Sequence, residues 1–365
     1  MKPRHLFLII SILFHCPAML TAQEGQGKNS VVQFGITAHK ARILIHNKDL
    51  QVVDNSYPNG IEAEVAWQGM GQESWNKCHC FPKLGFSLRF WDYDAPDILG
   101  YGLGGLFFIE PEYNSFGRIS FGVRAGFGLT YMSNPFDAEN NTDNQAYSTA
   151  LNFDLVLAAK AGIRLSKQSR LNASASFNHN SNGGVKSPNR GLNYPSLSIG
   201  YSRYVRPVQF VRFGKKDWDV SDRKMRFDLG PFFSWKQVAG DVHRYSGGME
   251  LKYSRQFGRI NALTFGAEYL HDTFEVYLLE QEGKTGNPNK MSLAIGHEFL
   301  LGKLLFSQQL GVYAYKPNDV GADLYQRYGL TYVIGKKIAA GVNLKVHGHV
   351  AQLVDYRIVY TLFGN

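Results

Sequence analysis

The residues best suited to chemistry in this sequence are a histidine and a serine two positions apart, His179 and Ser181. A histidine can act as the general base that converts a serine hydroxyl into a nucleophile. Residues 171–178 alternate apolar and polar, which predicts a β-strand with one apolar face. His179 and Ser181 continue the apolar side of that alternation. The pattern therefore predicts a base and a nucleophile side by side on an apolar surface, as an esterase acting on a lipid requires.

A second alternating segment, residues 193–201, supplies a third polar group. If the two segments pair as a hairpin, Asn193 lies opposite His179 on the same apolar side. Its carbonyl oxygen is then placed to accept a hydrogen bond from the far ring nitrogen of His179 and to fix the tautomer of the base. The predicted catalytic set is His179, Ser181 and Asn193.

The loop between these segments, residues 182–192, is rich in Asn, Gly and Pro. Acyl transfer develops negative charge on the carbonyl oxygen, and N–H groups stabilise this oxyanion. The predicted oxyanion donors are the backbone and side-chain N–H groups of Asn182, Gly183, Gly184 and Asn189. Lys186 and Arg190 are candidate contacts for phosphate groups of a substrate, and the alternative is that both are ordinary solvated loop charges.

The elements that must position these residues have the pattern of membrane β-strands. Residues 118–132 and 151–165 alternate over more positions than most strands of soluble proteins. The chain has 14% aromatic residues and 38 glycines. We predict an all-β fold, a transmembrane antiparallel β-barrel of the outer-membrane type, with about sixteen strands or with an eight-stranded barrel plus a second β unit. A secreted β-sandwich, which also alternates, is the competing fold.

The ends and one break in the pattern suggest three regions. Basic residues, an apolar run over 6–14 and small residues up to Ala22 predict a secretory signal peptide over 1–22. The alternation lapses in a charged segment over 206–224, so we expect a barrel region that carries the site at 23–205 and an additional strand region at 206–365. The strand with His179 is about the seventh, which places the following loop at the outer surface if the chain starts in the periplasm.

The net charge and the cysteine content limit the classes of ligand that we expect this protein to bind. The net charge of +9 suits an anionic lipid headgroup or a basic rim, and no nucleic-acid motif is present. After removal of the signal peptide only Cys78 and Cys80 remain. Two positions apart on a strand they are poorly placed to bridge, and no further Cys or His completes a metal set, so we expect them to be unpaired. Neither a metal nor a cofactor is predicted.

The segment His179-x-Ser181-Asn182-Gly183, followed by Pro188-Asn189-x-Gly191, resembles the active-site motif of the PagL family of outer-membrane lipid A deacylases. Its Bacteroidetes homologues are often labelled acyloxyacyl hydrolases. The resemblance implies a small barrel in the outer membrane whose substrate is the lipid A of lipopolysaccharide. It assigns His179 as base, Ser181 as nucleophile, and Asn182, Gly184 and Asn189 to the oxyanion hole. The resemblance is strong over about 175–205.

Two features depart from that family. The acidic residue of the family's catalytic triad corresponds to Asn193, so the implied triad is Ser-His-Asn. The strands after Arg206 have no counterpart in the small barrels of that family. The expected function is removal of an ester-linked acyl chain from lipid A by a carboxylic ester hydrolase. The alternative is a non-enzymatic outer-membrane barrel, a porin or a structural protein, that retains the motif. A homodimer is left open.

Overall fold

The computed structural model describes residues 30–214, 223–239, 242–318, 321–348 and 350–364. These residues form two closed eight-stranded antiparallel barrels, one after the other along the chain. The predicted all-β barrel fold is confirmed, and the second β unit is itself a barrel. Within the described ranges, no helix has the length and apolar character needed to cross a membrane. The predicted signal peptide, residues 1–22, lies outside the described residues.

The first barrel is built from eight long strands and one short one. They are β1 (Ser30–Ala41), β2 (Asn59–Gly69), β3 (Lys83–Asp92), β4 (Tyr101–Glu110), β5 (Glu112–Tyr113), β6 (Ile119–Met132), β7 (Leu151–Arg164), β8 (Ser169–Ser181) and β9 (Leu192–Tyr204). The sheet closes because β1 pairs with β9 and β4 pairs with β6. Without the two-residue β5, the strand that carries His179 is the seventh. A 3-10 helix (Lys48–Val53) and the helix α1 (Gln72–Cys78) lie in the connections.

The second barrel closes through the pairing of its first and last strands. Its strands are β10 (Met225–Ala239), β11 (Val242–Gln256), β12 (Asn261–Asp272), β13 (Asn289–Leu301), β14 (Leu304–Tyr315), β15 (Leu324–Val333), β16 (Ile338–His347) and β17 (Val350–Gly364). The helix α2 (Thr273–Gln281) lies between β12 and β13.

Both barrels carry apolar side chains outside and charged side chains inside. On β6, for example, Phe121 and Leu129 are 56% and 45% exposed, whereas Arg124 is buried. Arg124 contacts Glu62 at 2.8 Å and Glu110 at 2.6 Å across the first lumen. Arg327 pairs with two glutamates in the same way across the second lumen. Eight strands enclose a space that side chains fill, and here ion pairs fill it.

The structure contradicts the prediction that the two cysteines are unpaired. Cys78 and Cys80 form a disulfide, with their Cα atoms 5.1 Å apart. The expectation that they are unpaired rested on an extended strand and is wrong. Cys78 instead ends α1, and His79 adopts a left-handed conformation with φ of 51°. The chain therefore turns between the two cysteines and brings their side chains together.

Candidate functional site

The candidate site lies at the end of the β8–β9 hairpin. His179 pairs with Asn193 in the register of the two strands, as the alternation predicts. On β8, Phe177 is 44% exposed on the outer face, whereas Asn178 and Asn180 are buried on the lumen side. His179 has the parity of Phe177 and therefore lies on the outer, apolar face of the barrel.

Two hydrogen bonds connect the three predicted catalytic residues. The Nε2 atom of His179 lies 3.0 Å from Oγ of Ser181, and its Nδ1 atom lies 2.6 Å from Oδ1 of Asn193. A carbonyl oxygen can only accept, so Nδ1 carries the proton and donates it to Asn193. The lone pair of Nε2 then faces the hydroxyl of Ser181, which is the state that a general base needs.

A second histidine fixes the orientation of the Asn193 amide. Nδ2 of Asn193 lies 3.2 Å from Nδ1 of His46, and Nε2 of His46 lies 2.9 Å from the carbonyl oxygen of Arg190. Nδ1 of His46 also lies 3.3 Å from the carbonyl oxygen of Leu44, but the contact of Nε2 with Arg190 is shorter. With the proton on Nε2, which donates to Arg190, Nδ1 accepts from Asn193. The amide is thus held with its oxygen toward His179. Sequence reasoning missed His46, which lies 147 positions before Asn193 in a segment without a clear pattern.

The loop after Ser181 is held by its own amides. The backbone N–H of Asn182 donates to Oδ1 of Asn189 at 3.0 Å, and the backbone N–H of Gly184 donates to Oδ1 of Asn182 at 2.9 Å. The side-chain Nδ2 of Asn182 donates to the carbonyl oxygen of Lys186 at 2.7 Å, so three of the predicted oxyanion donor groups are engaged. In the part of the chain that the structure describes, the backbone N–H of Gly183 and the side-chain Nδ2 of Asn189 have no protein acceptor. These two groups are therefore candidates for binding an oxyanion.

The polar loop before β7 forms hydrogen bonds that hold the loop after Ser181 in place. Oγ of Ser148 donates to the carbonyl oxygen of Lys186 at 3.0 Å and lies 3.2 Å from Nδ2 of Asn182. The backbone N–H of Gly191 donates to the carbonyl oxygen of Ala146 at 2.8 Å. Tyr147 is fully buried, and burial raises the pKa of its phenol. The sequence predicts only a long polar loop here, because these contacts join residues about forty positions apart, beyond any local pattern.

Gly191 gives the loop its approach to the base. Its φ is +75°, a conformation that side chains with a Cβ rarely adopt. A Cβ added there would lie 2.8 Å from Cε1 of His179. Glycine at this position therefore allows the backbone to pass against the imidazole ring.

The two candidate phosphate contacts differ in their surroundings. The guanidinium of Arg190 contacts Asp49 at 2.7 Å and is about half exposed, so a phosphate would share it with that carboxylate. Lys186 is half-buried, and its carbonyl oxygen accepts from Ser148 and Asn182. Among the described residues, no group of three or more His, Cys, Asp or Glu side chains is arranged to hold a metal ion.

Two family models match the chain, one over each barrel. Residues 61–202 match the model described as lipid A 3-O-deacylase (PagL), and residues 225–365 match the model described as the acyloxyacyl hydrolase C-terminal domain. No protein of curated function matches the chain.

Solved structures of outer-membrane proteins resemble the chain only weakly. A mutant of Rh. blastica porin is 10% identical, with a TM-score of 0.22 over 91% of this chain and 100% of that chain. The Acinetobacter baumannii outer membrane protein Omp33 is 9% identical, with a TM-score of 0.19 over 91% of this chain and 99% of that chain. Pseudomonas aeruginosa OccK5 (OpdH) is 9% identical, with a TM-score of 0.24 over 92% and 98%. These similarities carry no argument about function.

Proposed function

Because the chain belongs to the PagL family of lipid A deacylases, we propose that it is an outer-membrane serine esterase that removes an ester-linked acyl chain from lipid A. The observation that carries this proposal is the continuous hydrogen-bonded series of Ser181, His179 and Asn193, with distances of 3.0 and 2.6 Å. A nucleophile, its base and the group that orients the base are the minimum set for acyl transfer.

The reaction proceeds in two steps. Oγ of Ser181 attacks the ester carbonyl carbon while Nε2 of His179 takes the hydroxyl proton, and the oxyanion forms beside Gly183 and Asn189. The imidazolium then gives its proton to the departing sugar oxygen, which leaves an acyl-serine. In the second step His179 takes a proton from water, whose oxygen attacks the acyl-serine. The bond between the acyl carbon and Oγ then breaks as the imidazolium returns its proton to Ser181. The products are a free fatty acid and lipid A with one ester fewer.

The position of the site suits a lipid substrate. Ser181 is 8% exposed and lies on the outer apolar face, at the opposite end of the barrel from Ser30. A lipid in the outer leaflet would present its ester near this end and its hydrocarbon chain along the apolar face below. Lys186 lies in the polar loop above, where phosphate groups of the headgroup would be placed.

The alternative of a porin is disfavoured by the filled lumens. Charged side chains cross both barrels, and a gap lined by His39, Glu62 and Arg124 has a volume of only about 20 Å³, room for little more than a water molecule. A structural barrel that retains an inactive motif would have the same lumens. Only a measurement of ester hydrolysis can distinguish such a barrel from an esterase.

The decisive experiment compares lipid A by mass spectrometry from cells that express the wild-type chain, Ser181→Ala or Ser174→Ala. Ser174 lies on the same strand but faces the lumen, where it bonds Ser198. We expect lipid A to lose an acyl chain with the wild type and Ser174→Ala and to keep it with Ser181→Ala. Equal acyl content in the wild-type and Ser181→Ala cells would refute the proposed function.

A further inference from the structure

The second barrel packs against the loop that follows Ser181. A Cβ added to Gly183 would lie 2.5 Å from Cγ2 of Val354 on β17, and one added to Gly184 would lie 3.2 Å from the carbonyl oxygen of Ala351. The backbone N–H of Gln237 on β10 also donates to the carbonyl oxygen of Val185 at 2.7 Å. The two barrels therefore meet at the candidate site.

An apolar cavity of about 540 Å³, wide open on one side, lies between the barrels close to this contact. The first barrel contributes Phe127 to its lining. The second barrel contributes side chains of its last four strands, among them Leu304, Leu330, Tyr332, Ala340, Tyr356 and Ile358.

The strand registers place this cavity beside the candidate nucleophile. Phe127 pairs with Leu155, and Leu155 pairs with His179, so the three lie in one row across β6, β7 and β8. Two strand spacings separate Phe127 from His179, roughly 10 Å. On the facing barrel, Tyr356 and Ile358 follow Val354 at alternate positions of β17, on the same outward side. The lining therefore starts at Tyr356, two positions along β17 from the residue that contacts Gly183, and continues along the strands away from the loop.

Among the described residues that line this cavity, none comes from β9, the strand on the other flank of the site. On β9, next to β8, Leu197 and Ile199 are 69% and 66% exposed. An apolar chain attached to an ester at Ser181 would thus have the second barrel beside it on the β7 side and only the outer face of the first barrel on the β9 side.

We infer that the cavity between the barrels binds the acyl chain of the ester that Ser181 cleaves, an inference that rests on the proposed function. A hydrocarbon chain is the fitting occupant because both walls are outward faces of membrane barrels, which contact lipid chains. The volume falls in the range of roughly 300–1,000 Å³ that is usual for small-molecule sites. The second barrel then forms half of the substrate site and selects chains by length.

The test fills the cavity and follows chain-length selectivity. Ala340→Trp places an indole in the cavity, and Ile199→Trp places one on the open β9 face as a matched control. Purified wild type and variants are assayed in micelles on p-nitrophenyl acetate and p-nitrophenyl myristate. We expect Ala340→Trp to lower the ratio of kcat/KM for myristate to that for acetate by about tenfold or more, as steric changes in apolar pockets do. Ile199→Trp should leave the ratio as in the wild type.

An unchanged ratio in Ala340→Trp, or an equal change in Ile199→Trp, would overturn the inference while leaving the esterase intact. If the wild type hydrolyses neither ester, the proposed function is overturned, and the inference with it. If Ala340→Trp does not fold, Val342→Phe adds bulk to the same cavity and must give the same fall in the ratio.

Discussion

At the scale of single residues, the amide of Asn193 stands where hydrolases with a serine nucleophile commonly have a carboxylate. An amide can orient the imidazole through its oxygen but does not offset the positive charge that His179 would acquire in the proposed attack. His46 removes the main disadvantage of an amide, which is that it can rotate and present its NH₂ group to the base. The site therefore keeps the tautomer that catalysis needs without a carboxylate.

Replacement of Asn193 tests this division of roles. Asn193→Leu removes the acceptor for Nδ1 of His179, and we expect kcat for ester hydrolysis to fall by about 10²-fold, the lower end of the effect of a positioned base. Asn193→Asp keeps the acceptor and adds a charge, so it should raise kcat above the wild type. Steady-state kinetics on a soluble ester measure both. Wild-type kcat in Asn193→Leu would show that Ser181 and His179 work as a dyad.

A companion prediction concerns His46 as a positioning residue. His46→Leu removes the acceptor for Nδ2 of Asn193, so the amide is free to rotate and we expect kcat to fall by about tenfold with little change in KM. The double variant His46→Leu/Asn193→Asp provides the discriminating control. Either oxygen of a carboxylate can accept from His179, so His46→Leu should cost much less in that background. A loss of equal size in both backgrounds would mean that His46 acts only on loop stability.

At the scale of elements, the strands around the site could be predicted because a membrane barrel enforces alternation. Lipid outside and ion pairs inside give β6, β7 and β8 a strict period of two, and this also placed Asn193 opposite His179. The connections could not be predicted in this way. The disulfide at the end of helix α1 depends on a local turn at His79. The alternation of apolar and polar residues carries no information about such a turn. His46 contacts Asn193 only because the chain closes into a barrel.

The loop between β8 and β9 allows a prediction of its own. Gly191→Ala places a methyl group against the ring of His179, so we expect a large loss of hydrolysis with the barrel still folded. Gly302→Ala is the matched control, because Gly302 has the same φ of +75° with open space around the added Cβ. Both variants bear the same backbone strain, and only the first meets the base. Equal activity of the two variants would contradict the assigned role of Gly191.

At the scale of the whole molecule, each barrel depends on the ion pairs in its lumen. Arg327 contacts Glu250 and Glu268, and all three side chains are buried. Arg327→Leu leaves two buried carboxylates without this partner, and we expect a loss of about 3–5 kcal/mol in the free energy of unfolding. The exposed Arg255→Leu is the control. Heat-dependent migration on SDS gels should show unfolding of Arg327→Leu at a lower temperature, and identical melting of both variants would refute the role of the pair.

The charged lumens also bear on the cell that inserts this protein. An outer membrane must remain a barrier to small solutes, and wide barrels such as porins leave an aqueous channel through it. Here side chains of the barrel strands themselves block each lumen, through the ion pairs of Arg124 in the first barrel and Arg327 in the second. Because ion pairs fill both lumens, insertion of this protein into a membrane should not open a channel for small solutes.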